Sequence, residues 1–101
     1  MAKFKKYRVL NVLGSKYKVV EKDLKSLGFD GLFEYKEKQI IIDKDTAKDH
    51  EQYYRTLFHE AFHAALKESA IDQTDLCSNM EEIIVEQMSK VIYENFFKKN
   101  R

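Results

Sequence analysis

Thr56-Leu57-Phe58-His59-Glu60-Ala61-Phe62-His63-Ala64-Ala65 is the stretch on which the reading of this chain depends. Its apolar residues recur at helical spacing, and His-Glu-x-x-His stands inside the run. On an α-helix, residues four apart lie one above the other, about 40° apart around the axis. His59 and His63 therefore present two imidazole nitrogens to one point, as a tetrahedral zinc site requires. Glu60 is turned about 100° from His59, where its carboxylate reaches toward a water at the metal rather than the metal itself. Such a pattern can arise by chance on a helix rich in Glu and Ala. Against chance, the chain holds only three His in 101 residues, and two of them fall four apart. Tyr54, Leu57, Phe58, Ala61, Phe62 and Ala65 also form a broad apolar face on the side away from the imidazoles.

Upstream of this helix the pattern is that of strands. Lys3 to Val12 mixes Phe4, Tyr7, Val9, Leu10 and Val12 with Lys and Arg, and Lys16 to Val20 is a second β-prone run. Gly14-Ser15 between them predicts a hairpin turn, because Gly tolerates positive φ. Glu21 to Gly28 predicts a short helical turn around Leu24 and Leu27, stopped by Gly28. Gly31 to Tyr35 and Gln39 to Asp43 predict a second hairpin, and Ile40-Ile41-Ile42 reads as a strand buried on both faces. Thr46, with Asp49 three residues on, resembles a helix N-terminus, so the motif helix is expected from about there to Glu68.

Downstream, Ser69 to Cys77 is a polar connection. Ser78-Asn79-Met80-Glu81 then reads as a capping box, with Glu81 as its acid. A second long helix follows from about Asn79 to Lys98, with the apolar stripe Ile84, Val85, Met88, Val91, Ile92 and Phe96 and cations at its end. The expected fold class is α+β: a twisted, mainly antiparallel sheet of about four strands, then the motif helix and a C-terminal helix.

Composition narrows the rest. One hundred and one residues suit one domain, residues 1–101, with one modest core. A net charge of +1 gives no reason to expect nucleic acid or a membrane surface as partner, and the basic N-terminus reads as the solvated face of a strand. The single cysteine, Cys77, excludes an internal disulfide and suits a reducing compartment. With no apolar run of membrane-spanning length and no leader-like start, the expected location is the cytoplasm.

Two imidazoles leave a zinc site incomplete, and a third protein ligand is needed. His50, nine residues before His59, falls on the opposite side of the helix and reads as a surface histidine. The ligand is then a carboxylate of the second helix, where Glu81, Glu82 and Glu86 compete. Glu81 is engaged as the capping acid. Glu82 is the preferred ligand, and Glu86, on the same face one turn on, is the preferred acceptor for an imidazole N–H. The bland reading of Glu82 and Glu86 is an acidic pair on a solvated helix face.

His59-Glu60-Ala61-Phe62-His63, the eighteen-residue gap and Glu82-Ile83-Ile84-Val85-Glu86 resemble the gluzincin pattern of zinc metallopeptidases. The small size and the Ile-Ile-Ile-Asp strand before the motif helix resemble the minimal metallopeptidase-like proteins of phages and prophages, akin to the ImmA/IrrE type. The resemblance runs from about Gly31 to Ile92. It implies a small zincin-like domain that hydrolyses peptide bonds, with Zn2+ held by His59, His63 and Glu82, and Glu60 as general base. It further implies a protein or peptide substrate, such as a phage or mobile-element regulatory protein, paired as a strand along Gln39 to Asp43. No Tyr or His matches the family's oxyanion-stabilising residue. A non-catalytic interaction protein with a structural zinc is the main alternative, and a metal-free α+β domain is the third. Oligomeric state is left open.

Overall fold

Leu13 and Gly14 both take positive φ, 48° and 90°, and form the two-residue turn between β1 (Val9–Val12) and β2 (Ser15–Lys22). Positive φ at both central positions matches the right-handed twist of the flanking strands. Ser15 therefore belongs to the ladder, opposite Val12, and the turn lies one residue before the expected Gly14-Ser15. The computed structural model describes residues 4–69 and 78–98. Within these the fold is α+β, a four-stranded mixed sheet with two helices. The expected connection lies outside the described residues except for Ser69, and so does Cys77.

Among the described residues of the expected strand from Lys3 to Val12, Val9–Val12 form the ladder. Phe4 and Tyr7 instead lean on the motif helix: Phe4 meets Tyr53 and Tyr54 at ring distances of 5.5 and 5.7 Å, and the Tyr7 N–H donates to Tyr53 Oη at 3.0 Å. Aromatic rings gain more from an apolar helix face than from a solvated strand.

After β2, a 3₁₀ turn over Lys25–Leu27 ends at Gly28 with φ 85°, as the left-handed cap requires. β3 (Gly31–Glu34) and β4 (Gln39–Asp43) form the second hairpin, with Phe33 opposite Ile40 and Gly31 opposite Ile42. The chain carries β3 past the place where β4 inserts, so β4 pairs parallel to β2 and the strand order is β1-β2-β4-β3. Two of the three pairings are antiparallel. β4 is consequently an interior strand with both edges bonded, and its isoleucines are buried on both faces. It offers no edge to a substrate, contrary to the expectation for Gln39 to Asp43. β1 and β3 are the edge strands of the sheet.

Asp43 closes this region. Its carboxylate accepts backbone N–H groups from Leu24 and Lys25 at 2.8 and 2.9 Å, and from Asp45 and Thr46 at 3.0 and 3.2 Å. Burial alone would raise its pKa, but the four donors prevail and hold it below the ordinary carboxylate value. Thr46, expected at the helix start, sits in a 3₁₀ turn over Thr46–Lys48. The cap is Asp49, extended at φ −102° and ψ 130°, whose Oδ2 accepts the Gln52 N–H at 2.9 Å.

The motif helix, α1, runs His50–Glu68. It lays Tyr53, Tyr54, Leu57, Ala61 and Ala64 on Val12, Tyr17, Ile40 and Ile42 of the sheet. Phe62, expected in this face, lies one position too far round and is half-buried. At its far end Glu68 accepts from Tyr17 Oη at 2.7 Å and pairs with Lys38 Nζ at 2.5 Å, fixing the helix to the sheet.

The second helix, α2 (Ser78–Ile92), begins one residue before the expected start and continues into a π-helical turn over Tyr93–Phe97. It packs on α1 through Val85, Ser89 and Tyr93, all buried. Ile84, Met88, Val91 and Phe96 of the expected stripe face outward. Periodicity reveals an apolar side on this helix, but a carboxylate-bearing side is the one turned to α1.

Candidate metal centre

His59 and His63 sit on the α1 face opposite the core, one turn apart, with ring centroids 4.9 Å from each other. Both Nε2 atoms point at one residue of α2. His59 Nε2 is 3.3 Å from Glu82 Oε1, and His63 Nε2 is 3.1 Å from Glu82 Oε2. One ligand atom from each of the three side chains falls within 4.8 Å of the other two. A tetrahedral zinc with bonds near 2.0–2.1 Å places its ligands about 3.3 Å apart. Each imidazole–carboxylate distance is near that value, and two His with one Glu is a donor set that suits the ion.

The other ring nitrogens are also occupied. His59 Nδ1 lies 3.0 Å from Glu86 Oε1, and His63 Nδ1 lies 2.6 Å from Glu81 Oε2. In a neutral imidazole only one nitrogen carries a proton. If each Nδ1–H donates to its own glutamate, each Nε2 is a bare lone pair aimed at the Glu82 carboxylate. Lone pairs facing a carboxylate repel, unless each ring takes a second proton or a cation lies between them. A divalent cation relieves both contacts at once, and carboxylate-held Nδ1–H groups are the arrangement that orients metal-binding histidines.

Glu86 is itself fixed. Arg55, one turn before His59, donates to Glu86 Oε2 at 3.0 Å and to Glu51 Oε2 at 3.0 Å. Burial works to raise the Glu86 pKa, but hydrogen bonds from His59 and Arg55 outweigh it and hold the group lowered.

Glu60 lies beside the histidines rather than among the three ligands. Burial pushes its carboxyl up from the ordinary value; the histidines oppose this and Glu82 adds to it. The edge strand β3 passes close by. A Cβ on Gly31 would meet Thr56 Cγ2 at 2.5 Å and Glu60 Cγ at 3.3 Å, so only glycine lets β3 approach α1 here. Two cavities flank this crossing and share Gly31, His59 and Glu60 in their walls. One, of about 300 Å³, is polar, with Asp30, Gln52, Arg55 and Thr56. The other, of about 430 Å³, is lined by Phe29, Leu32 and Phe33 together with His63, Glu81 and Glu82.

No protein-family model, curated protein or solved structure matches this chain. The geometry thus stands on its own. The structure brings His59, His63, Glu82, Glu60 and Glu86 together, as the spacing along two helices predicts. It leaves His50 outside, half-buried against Phe4, Tyr54 and Tyr93, with Nδ1 2.9 Å from Tyr93 Oη. Glu81 is the residue whose place at the site sequence reasoning did not foresee, and the capping box expected with Ser78 lies outside the described side chains. Glu81 Oε2 faces His63 Nδ1 at 2.6 Å. The signal was available: Glu81, Glu82 and Glu86 all fall within one side of the helix, and two histidines have two Nδ1–H groups to satisfy.

Proposed function

We propose that this chain is a zinc-dependent hydrolase of peptide bonds, with His59, His63 and Glu82 as the metal ligands and Glu60 as the general base. The observation that supports it most is the convergence of both Nε2 atoms on Glu82 while each Nδ1 has its own carboxylate. Bound there, zinc would supply Lewis acidity and a water acidified toward neutral pH. Glu60, half-buried beside the two histidines and with its carboxyl pushed up by burial, would accept a proton from that water and return it to the leaving amine. The free edge of β3, crossing α1 at Gly31, offers backbone groups to an extended peptide, with one cavity on either side of Glu60 for its side chains. Strand pairing selects little by side chain. A phage or mobile-element regulatory protein is the substrate that the resemblance suggests, by analogy. A cytoplasmic site of action accords with the single cysteine, and no helix among the described residues is long and apolar enough to cross a membrane.

The second reading, an interaction protein that keeps a structural zinc, is favoured by one observation. Among the described residues lining the two cavities there is no Tyr, and the only His are the two candidate ligands. The one Arg, Arg55, is engaged by Glu51 and Glu86. The oxyanion would then rely on the metal alone.

The test is metal analysis of protein purified without an affinity tag, followed by cleavage of a mixed fluorogenic peptide pool. Zinc near one per chain and cleavage lost in Glu60→Gln, with zinc retained, support the hydrolase. Zinc without cleavage by the native chain supports the structural reading. No zinc taken up on addition overturns both.

A further inference from the structure

The two cavities that meet at Glu60 differ in chemistry. The larger has Phe29, Leu32 and Phe33 in its wall, and Phe29 keeps 46 % of its surface exposed there. A concave wall of this kind takes an apolar group. The smaller has Asp30, Gln52 and Arg55 in its wall. Asp30 accepts from Lys25 Nζ and from Thr46 Oγ1 at 2.9 Å, both on Oδ1, and its side chain is 54 % exposed, which leaves Oδ2 to accept from a further donor. Those bonds hold the carboxyl below its ordinary value, so it is ionised near neutral pH. Arg55, the one cation of this wall, is turned to Glu51 and Glu86.

We propose that these cavities select the residues on either side of the scissile bond: an apolar side chain against Phe29, Leu32 and Phe33, and a Lys or Arg side chain against Asp30. The assignment rests on the peptide-hydrolase reading and narrows its substrate to extended segments in which an apolar and a basic residue flank the bond. Gly31, His59 and Glu60 belong to both walls, so a bond held at Glu60 has one cavity on each side. Successive side chains of a strand point to opposite sides, and a peptide paired with the β3 edge sends one flanking residue into each. Charge decides the polar side. Lys25 and Asp30 are both more than half exposed, so their pair is weak and an incoming ammonium or guanidinium competes for the carboxylate. An incoming carboxylate meets Asp30 and Glu86 instead, with Arg55 already engaged.

Fluorescence anisotropy of the full chain carrying Glu60→Gln, with zinc added, tests this without turnover. The probes are short, labelled, end-blocked peptides of Ser and Gly that carry Leu-Lys, Leu-Glu or Ser-Lys, in either order, at the centre. The better Leu/Lys order should bind about tenfold tighter than its Glu counterpart and about tenfold tighter than its Ser counterpart. The order that wins reads the direction of the peptide along β3. Asp30→Asn, which keeps an acceptor for Thr46, should remove most of the Lys-over-Glu ratio, and Asp30→Lys should invert it. Phe29→Ser, at an exposed position, should remove the Leu-over-Ser ratio with an unchanged far-UV spectrum. No binding of any probe, equal binding of all, or a Lys preference that survives Asp30→Asn overturns the assignment. Incubating the same peptides with the native chain separates it from the hydrolase reading. Selective binding without cleavage by the native chain overturns the hydrolase and keeps the two cavities as a peptide cleft. Cleavage that does not distinguish Lys from Glu overturns the cavities' assignment and keeps the hydrolase.

Discussion

At the residue scale the candidate site is a set of three carboxylates around two imidazoles, and their roles separate by measurement. Glu82→Ala removes the group that both Nε2 atoms face, whereas Glu81→Gln and Glu86→Gln remove only the acceptors behind Nδ1. Chelator competition should show zinc affinity falling roughly 10–100-fold for either outer glutamate and further for Glu82→Ala. A larger loss for Glu86→Gln than for Glu82→Ala would mean that the two roles are exchanged. Gly31 is the second decisive residue. Gly31→Ala drives a methyl into Thr56 Cγ2, and overpacking of this kind costs about 1–3 kcal/mol. In a Thr56→Ser background most of that cost should vanish, because the atom struck is gone; urea melts of the four chains in the cycle check it.

At the element scale, Asp43 binds three pieces of chain that have little else in common: the 3₁₀ turn after β2, the end of β4 and the entry to α1. Its folded pKa is depressed. Its contribution to stability is therefore full above the unfolded carboxylate value, about 3.9, and is lost as pH falls through the lower folded value. Thermal melts between pH 7 and 3 should show Tm falling at the acid end. Asp43→Asn should lower Tm at pH 7 by roughly 5 °C or more and flatten the acid fall, since an amide offers one acceptor where the carboxylate offers two. A shorter link of the same kind starts α1: Asp49→Ala should cost about 1 kcal/mol by leaving the Gln52 N–H uncapped.

For the whole molecule, the candidate metal would add a tie between two helices already joined by Arg55–Glu86, His59–Glu86 and His63–Glu81 beside the buried Val85 and Ser89. An ion bound by the folded chain alone adds about 2.7 kcal/mol at a hundredfold excess over its Kd. For a domain this size that is a Tm rise on the order of 10 °C. Scanning calorimetry should show the rise with zinc, its reversal by EDTA, and none in His59→Ala or His63→Ala. A zinc-induced rise that persists in both histidine variants would place the ion elsewhere.

Much of this fold was legible in the chain itself. Ile40-Ile41-Ile42 read as a buried strand and Gly28 as the end of a turn, and both stand so; His59 and His63 share a side of α1, because spacing of three or four residues on a helix sets direction within one turn. The tertiary structure decided what depends on distant partners. Which glutamate meets which imidazole follows from how α2 docks on α1, a contact across an eighteen-residue gap that no local spacing encodes. The parallel join of β2 to β4, and with it β3 as an open edge, follows from the order in which strands enter the sheet. The outward turn of Met80, Ile83, Ile84, Met88 and Val91 follows from the same docking. Local sterics orient a side chain about its own axis, but only long-range packing selects the side of that axis the protein uses.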